Sequence, residues 1–279
     1  MSIRVVTDST CDLPESLVDD RGIHVVPMYI HVDGRSYLDG VELSREAFYA
    51  GLPDYQQPPT TAVPAIDAFA RAYDRLADEG ATGVVSIHIS ESLSNVVNIA
   101  RLAAEKTTAL PVEVIDSGQL TLGLGLEVLR AAEVARAGAT LEETAAAVRE
   151  LIPRTYTFAA LNTVEFLRRS GRLTQFQSGL ATLLKILPLL KMNKGVAEME
   201  KVRTREKAIR RLLELVTELG PLEQLALVHT NAPDEAARLH DRARHLVPPH
   251  TVPIYAQVTS VIGAHIGPGA VGFVAVAQA

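Results

Sequence analysis

Short apolar runs and amphipathic stretches alternate through the first half of the chain. Residues 3–7 (IRVVT), 84–89 (VVSIHI) and 111–115 (PVEVI) have the length and content of buried strands, and each runs into a polar turn. Helical spacing takes over between them. Residues 15–20 form a short candidate helix, with Pro14 suited to its first position and Gly22 to its end. Residues 65–79 form a longer one closed by Gly80. After the polar burst Ser90-Glu91-Ser92-Leu93-Ser94-Asn95, apolar residues return at Val96, Val97, Ile99, Ala100, Ala103 and Ala104. Residues 120–137 predict a long apolar helix closed by Gly138, and Thr140 with Glu143 has the spacing of a capping box for another reaching Leu151. In 24–32 (HVVPMYIHV), Pro27 predicts an edge strand or a bulge, and Asp33-Gly34 predicts a hairpin with 35–38. Residues 53–64 form a Pro-rich loop.

Beyond Pro153 the texture changes. Residues 156–161 read as a strand, the basic LRRSGRL follows at 167–173, and a helix near 178–185 precedes the apolar ILPLL at 186–190. Two strand-like pieces flank Gly195, with the charged run EMEKVRTREK after it, and 204–219 is an amphipathic helix. Residues 222–229, 234–245 and 252–258 read as strand, helix, strand, and GAHIGPGAVGFVAVA at 263–277 as a Gly-rich loop feeding a final strand. The expected fold is α/β in two domains. Residues 1–153 would hold a mostly parallel sheet with helices on both faces, and residues 154–279 a smaller α/β domain with a mixed or antiparallel sheet.

Composition narrows the class. The chain has 279 residues, 47% hydrophobic, with a net charge of −6, which argues against broad nucleic-acid binding. A single cysteine, Cys11, excludes an internal disulfide and a cysteine-based zinc cluster. Asp8 falls where a signal peptide would carry its apolar segment, and no apolar run approaches the roughly 20 residues that cross a bilayer. A soluble cytoplasmic protein without stable membrane insertion is expected.

Familiar catalytic signatures are missing. Gly123-Leu124-Gly125 lacks the third glycine of a dinucleotide fingerprint, and the chain has no GxxxxGK[ST], GxSxG or HExxH. No metal, cofactor or catalytic residue is assigned. What remains are polar turns at strand ends: Asp8-Ser9-Thr10, Thr60-Thr61, Ser90 to Asn95, and Asp116-Ser117. Each has two readings, a turn or helix cap or part of a shared pocket at the carboxyl edge of a sheet. Hydroxyls and an amide without an adjacent base suit holding a carboxylate or phosphate better than transforming it. The basic clusters around Arg169 and Arg172 and around Arg203 and Arg205 are solvated loops or a docking surface for an acidic or phosphorylated partner. His265, among glycines, is a plain loop histidine or a group that steadies an anion.

Six pieces in order resemble one family over the whole chain: VTDSTCDLP (6–14), PTTAVP (59–64), SESLSNVVNIA (90–100), VIDS (114–117), FLRRSGRL (166–173) and HIGPGAVG (265–272). The sequence resembles the DegV family, bacterial fatty-acid-binding proteins that serve as carrier subunits of fatty acid kinase. The resemblance implies two α/β domains with an acyl chain in an internal tunnel, the second domain closing it and carrying the basic motifs. It implies that Thr61 and Ser94 grip the carboxylate, with Thr60 and Asn95 beside them and Asp8, Ser9, Thr10, Asp116 and Ser117 as supporting turns. It implies a non-catalytic subunit, on which an ATP-dependent fatty acid kinase subunit docks to phosphorylate the carboxylate. Arg169 or Arg172, Arg203, Arg205 and His265 correspond to the docking and transfer region. Ala62 replaces the Ser that usually follows the gripping Thr, and Ser94-Asn95-Val96 stands where the family has Ser-Gly-Thr. Contacts around the carboxylate are therefore rearranged, and Asn95 offers an amide donor.

Two other functions compete with a fatty-acid carrier. One is a self-sufficient esterase or phosphotransferase using Ser94 and His265, and the other is a regulatory module that senses a small anion.

Overall fold

The computed structural model of the protein describes residues 2–175 and 187–279. The expected helix at 178–185 lies outside the described residues. Strand β1 (Ile3–Asp8) leads into helix α1 (Glu15–Arg21), with Pro14 as its N-cap, and then into β2 (His24–Val26). There the chain leaves the sheet. Pro27 has no N–H for the ladder, and β3 (Tyr29–Val32) and β4 (Arg35–Leu38) form a hairpin in a different sheet. The expected single strand, at an edge or with a bulge, is thus two strands in two sheets, broken at the proline, with β2 at the edge of the first. Two further elements carry no strong periodicity: helix α2 (Arg45–Gly51), capped by Ser44, and strand β5 (Thr60–Ala62), which pairs with β3 inside the Pro-rich segment.

Helix α3 (Ile66–Asp78), strand β6 (Gly83–His88), helix α4 (Val96–Lys106), strand β7 (Val112–Asp116), and helices α5 (Leu122–Arg136) and α6 (Leu141–Leu151) complete the first half. The capping box at Thr140 and Glu143 is formed. The first sheet has the order β2-β1-β6-β7 and is parallel throughout. Helices α3 and α4 cover one face and α5 and α6 the other.

The second half contains strand β8 (Thr155–Ala160), helix α7 (Glu165–Arg169), strands β9 (Leu187–Asn193) and β10 (Val196–Val202), and helix α8 (Arg205–Glu218). Strand β11 (Leu222–His229), helix α9 (Pro233–Ala243), strand β12 (Ile254–Gln257), helix α10 (Ser260–Ile266) and strand β13 (Val271–Ala277) follow. Its six-stranded sheet, β10-β9-β8-β13-β11-β12, is mixed: every pair is antiparallel except β11 with β12. The two-residue period of the strands divides its apolar residues. Phe158, Leu225, Leu227 and Phe273 pack under α8 and α9. Ala159, Ala226, Val228 and Val274 belong instead to the core that contains Leu122, Leu124 and Val128 of α5, so one apolar core runs from the first sheet to the second.

Residue 265 is not in a loop. Residues 260–266 form α10, whose Ala264 packs with Ile30, Val32, Phe48 and Tyr49 against the third sheet. The glycines read as loop markers have steric reasons. A Cβ on Gly263 would come within 2.3 Å of the Tyr49 hydroxyl, and Gly267 ends the helix at φ +73°. Among the described residues no helix is long and apolar enough to cross a membrane.

The turn after β7 meets the β9–β10 hairpin at Gly118. Its carbonyl accepts the Gly195 N–H at 2.9 Å, and a Cβ there would lie 2.7 Å from the Gly195 nitrogen. Gly118 also sits at φ +59°. Gly118→Ala is expected to cost about 2–4 kcal/mol of stability, from backbone strain plus a separated contact. Denaturant unfolding would read this as a lower midpoint, and an unchanged midpoint would show that the turn does not bind the two sheets.

Candidate functional site

Because the first sheet is parallel, β1, β6 and β7 deliver their polar turns to one edge. Asp8, at the end of β1, is fully buried. Its Oδ1 accepts the Thr10 N–H at 3.0 Å and the Thr10 hydroxyl, and its Oδ2 accepts the Ile89 N–H and faces His88 Nδ1, both at 3.1 Å. Burial pushes the Asp8 pKa up, but the His88, Thr10 and Ile89 contacts outweigh it and hold the carboxyl below its ordinary value. His88 continues through Ser86 Oγ (2.7 Å) to the Tyr73 hydroxyl (2.9 Å). Ser9 Oγ accepts the Met28 N–H at 3.1 Å, steering the chain past Pro27.

The serine turn is braced in the same way. Asp116 Oδ1 accepts the N–H groups of Gly118 (2.9 Å) and Glu91 (3.2 Å). Ser117 donates its N–H to His88 O, and Ser90 donates its own to Gln119 O. Ser90 Oγ accepts the Ser92 N–H at 3.3 Å. Asp8, Ser9, Thr10, Asp116 and Ser117 therefore hold turns together, and none of them lines the cavity next to those turns.

That cavity has two adjoining chambers that share lining residues. The first is lined by Thr61, Ser94, Arg172 and His265 among apolar residues that include Met28, Ile89 and Val261. The second lies against β8, β9, β11 and β13 of the second sheet, with Leu120 and Thr121 ahead of α5 and Ile262 and Ile266 of α10 across from them. Leu93, Leu120, Leu190, Ile262 and Ile266 line both and form the waist between them. The sequence separates these four polar residues by up to 204 positions: β5, the turn before α4, the segment after α7, and α10 each supply one. Of the three serines in the turn, only Ser94 lines the cavity, and α4 starts behind it with no side-chain cap, its first-turn N–H groups left to other partners.

The first chamber has a polar end. Thr61 Oγ1 lies 2.9 Å from His265 Nε2. His265 Nδ1 is buried without a partner among the described residues. Burial, with Arg172 nearby, lowers the His265 pKa to about 4, so the ring is neutral near neutral pH. Arg168 and Arg169 both pair with Glu165, whereas Arg172 makes no ion pair among the described residues and donates only to Ser170 O at 3.2 Å. A cationic Arg172, two hydroxyls and a neutral imidazole in one chamber of an otherwise apolar cavity suit one anionic head on an apolar body. No Ser94–His265 hydrogen bond is formed among the described residues, and no group of three or more His, Cys, Asp or Glu there could hold a metal.

Other candidate residues sit elsewhere. Asn95 is exposed and accepts from Asn98 Nδ2 at 2.9 Å. Thr60 and Arg169 lie on the outer Pro-rich rim with Phe166. Arg203 is exposed on the far side of β10. Arg205 is a brace: it bonds Glu235 of α9, Ala160 O (3.2 Å) and Gly269 O (2.9 Å), which shapes the loop after α10. One cluster had no counterpart in the sequence reading. Asp12 Oδ1 accepts the Thr259 N–H at 2.8 Å, Asp12 Oδ2 accepts the Thr121 hydroxyl at 2.5 Å, and Arg45 lies 3.5 Å away. Thr259 Oγ1 bonds Asp39. Burial pushes Asp12 up to about 7 despite Arg45 and these donors. The cluster fixes the start of α10, and its only sequence signal is an acidic residue between Cys11 and Leu13.

Comparisons with known proteins bear on the family and the fold. The profile of the family described as "Uncharacterised protein, DegV family" matches residues 2–278. A DegV domain-containing protein of Streptomyces coelicolor is 38% identical over 98% of this chain and 97% of its own. A DegV crystal structure from Bacillus subtilis, described as a fatty acid binding protein, superposes with a TM-score of 0.91 at 30% identity over 100% of both chains. A Thermus thermophilus DegV family protein, described by its fatty acid binding, does so at 0.89 and 33% identity, again over 100% of both chains.

The depressed His265 pKa carries a signed pH dependence. Above pH about 6.5 the ring is neutral folded and unfolded, so its burial costs nothing extra; between about 6.5 and 4 the unfolded chain takes the proton first and stability is lost. The loss attributable to this group approaches about 3 kcal/mol near pH 4. Denaturant unfolding of the wild type and His265→Gln across that window should show a shallower acid slope in the variant. Parallel slopes would mean that the ring is not held neutral.

Proposed function

The chain belongs to the DegV family, and from that membership together with the cavity we propose that it carries a long-chain fatty acid for a separate ATP-dependent kinase subunit. The observation that carries this reading is the pairing of Thr61 with His265, beside Ser94 and Arg172, at one end of an otherwise apolar cavity. The acid enters tail first. Its carboxylate accepts from the Thr61 and Ser94 hydroxyls, with Arg172 as counter-charge. In the tautomer with the proton on Nε2, neutral His265 donates to Thr61 Oγ1, which leaves the Thr61 O–H free to point at the acid. Each buried methylene contributes roughly 0.8 kcal/mol, so a long chain supplies on the order of 10 kcal/mol before the costs of association. Hydroxyls and a cation offset the several kcal/mol that an unpartnered carboxylate would cost on leaving water.

The protein itself makes no bond. A kinase docked over the polar end transfers the γ-phosphoryl group of ATP to a carboxylate oxygen, forming the acyl-phosphate O–P bond and releasing ADP. Arg172 and His265 lie where that phosphoryl group would arrive. Arg169 and Arg203, both exposed, are the proposed outer contacts, and Asn95 and Thr60, exposed as well, are the proposed flanks of the entrance. The proposed boundary between two domains is near Pro153, between α6 and β8, with the shared apolar core as the face on which they pack.

Protein purified from bacteria and delipidated should bind long-chain acids with a single site by titration calorimetry, and native mass spectrometry before delipidation should find a fatty acid bound. Absence of affinity for any long-chain acid would sink the proposal. Thr61→Ala and Ser94→Ala should each weaken binding by about 1–3 kcal/mol, because the carboxylate loses a donor. Full affinity in both variants would move the carboxylate elsewhere.

A further inference from the structure

The second chamber of the cavity contains three polar residues, and each has its polar atom engaged away from the space. Thr121 donates its hydroxyl to Asp12 Oδ2 at 2.5 Å. Lys191 carries its ammonium out to Glu198 at 2.9 Å. Thr157 donates its hydroxyl to Gln119 Oε1 at 2.8 Å. The remaining lining among the described residues is Leu, Ile, Val, Ala and Met, so among the described residues the chamber offers no free hydrogen-bonding group to whatever fills it.

Gln119 keeps the third of these hydroxyls out of the chamber. It is fully buried and does not itself line the cavity. Its Nε2 donates to Thr155 O at 2.7 Å and Met192 O at 3.3 Å, its backbone N–H donates to Ser117 Oγ, and its carbonyl accepts from Ser90. Gly123, the first glycine of the Gly-Leu-Gly run in α5, leaves room for this arrangement. A Cβ there would lie 2.7 Å from Gln119 Oε1 and 2.8 Å from Thr157 Oγ1. The glutamine is thus fixed at every polar atom, and the acceptor it presents to Thr157 cannot turn away.

We propose that the second chamber selects ligands by their far end, accepting a plain hydrocarbon terminus and rejecting a polar one, and that Gln119 is the positioning residue that makes it selective by holding the Thr157 hydroxyl out of the cavity. The inference rests on the fatty-acid reading above and adds the class of acid: unsubstituted at the ω end, as opposed to ω-hydroxy acids. A terminal hydroxyl pushed into this chamber gives up its bonds to water and finds no partner. A rotated Thr157 hydroxyl would supply one.

The test compares tetradecanoic, hexadecanoic and octadecanoic acids with their ω-hydroxy counterparts by titration calorimetry on the delipidated full chain. Wild type should bind the best unsubstituted acid at least about tenfold more tightly than its ω-hydroxy partner, the expected penalty for one buried unpaired hydroxyl. In Gln119→Leu the ratio should fall to within about threefold, since Thr157 can then turn inward. In the double variant Gln119→Leu with Thr157→Val the ratio should return toward the wild-type value, which a general loosening of the fold would not produce. Equal affinities for the two acids in wild type would overturn the inference whatever the variants do, including a Gln119→Leu that fails to fold. A ratio unchanged in a folded Gln119→Leu would overturn the role of Gln119. Wild type that binds neither acid would instead bring down the fatty-acid reading itself.

Discussion

The cavity depends on how the end of β1 disposes of two buried carboxylates four residues apart. Burying a carboxylate costs several kcal/mol unless its oxygens are satisfied. Asp8 spends both oxygens within the first sheet, on Thr10, His88 and Ile89, and so locks the ends of β1 and β6 together. Asp12 spends its oxygens outward, on Thr259 ahead of α10 and Thr121 ahead of α5. These bonds hold the cavity walls from behind. An apolar void inside a protein costs roughly 24 cal/mol per Å³ and favours collapse, so it persists only where its walls are fixed by something other than contact across it. Polar anchors outside the lining do that here.

The same principle separates the two ends of the cavity. In the first chamber the polar atoms are under-used: among the described residues His265 Nδ1 has no partner and Arg172 pairs with no carboxylate. In the second, the polar atoms of the described lining residues are all committed. A neutral imidazole and a guanidinium at one end, and sequestered hydroxyls at the other, give the cavity a direction. An amphiphile can satisfy both ends in one orientation only. The basic residues of the second half divide likewise, Arg205 bracing the loop after α10 while Arg172 keeps its charge for the cavity.

Residue chemistry offered Thr61, Ser94 and His265 only as hydroxyls in polar turns and a histidine among glycines; the family resemblance singled them out, and the fold brings them to one chamber. The waist was not legible, for a physical reason. Leu189 and Leu190 are identical to any apolar pattern, yet Leu189 packs under α8 and Leu190 lines the cavity. Periodicity tells which residues avoid water, and a cavity wall avoids water as a core does. The parallel first sheet was readable from strand–helix alternation, while for the second half a mixed and an antiparallel sheet stood as alternatives, of which the structure has the mixed one. The third sheet was only half readable: the Asp33-Gly34 hairpin declared itself, but the three residues of β5 among prolines are too few for a period. Pro27 was recognised as a fault in a strand, but the change of sheet behind it depends on Ser9 capturing the Met28 N–H, a contact across 19 residues.

Helix α10 shows how closely binding and folding are joined. It has seven residues, too few to hold a helix in water by its own hydrogen bonds. Its shape must therefore come from its surroundings. Asp12 and Asp39 fix its start through Thr259, Tyr49 packs on Gly263, and Phe166 stands against Gly267 at its end. Four of its seven residues, Val261, Ile262, His265 and Ile266, line the cavity. A ligand touching those four contacts an element whose position is set by β1, α2, the third sheet and the segment around α7 together. Occupancy of the cavity and the mutual arrangement of those elements are thus coupled through one short helix, which has no stability of its own with which to insulate one from the other.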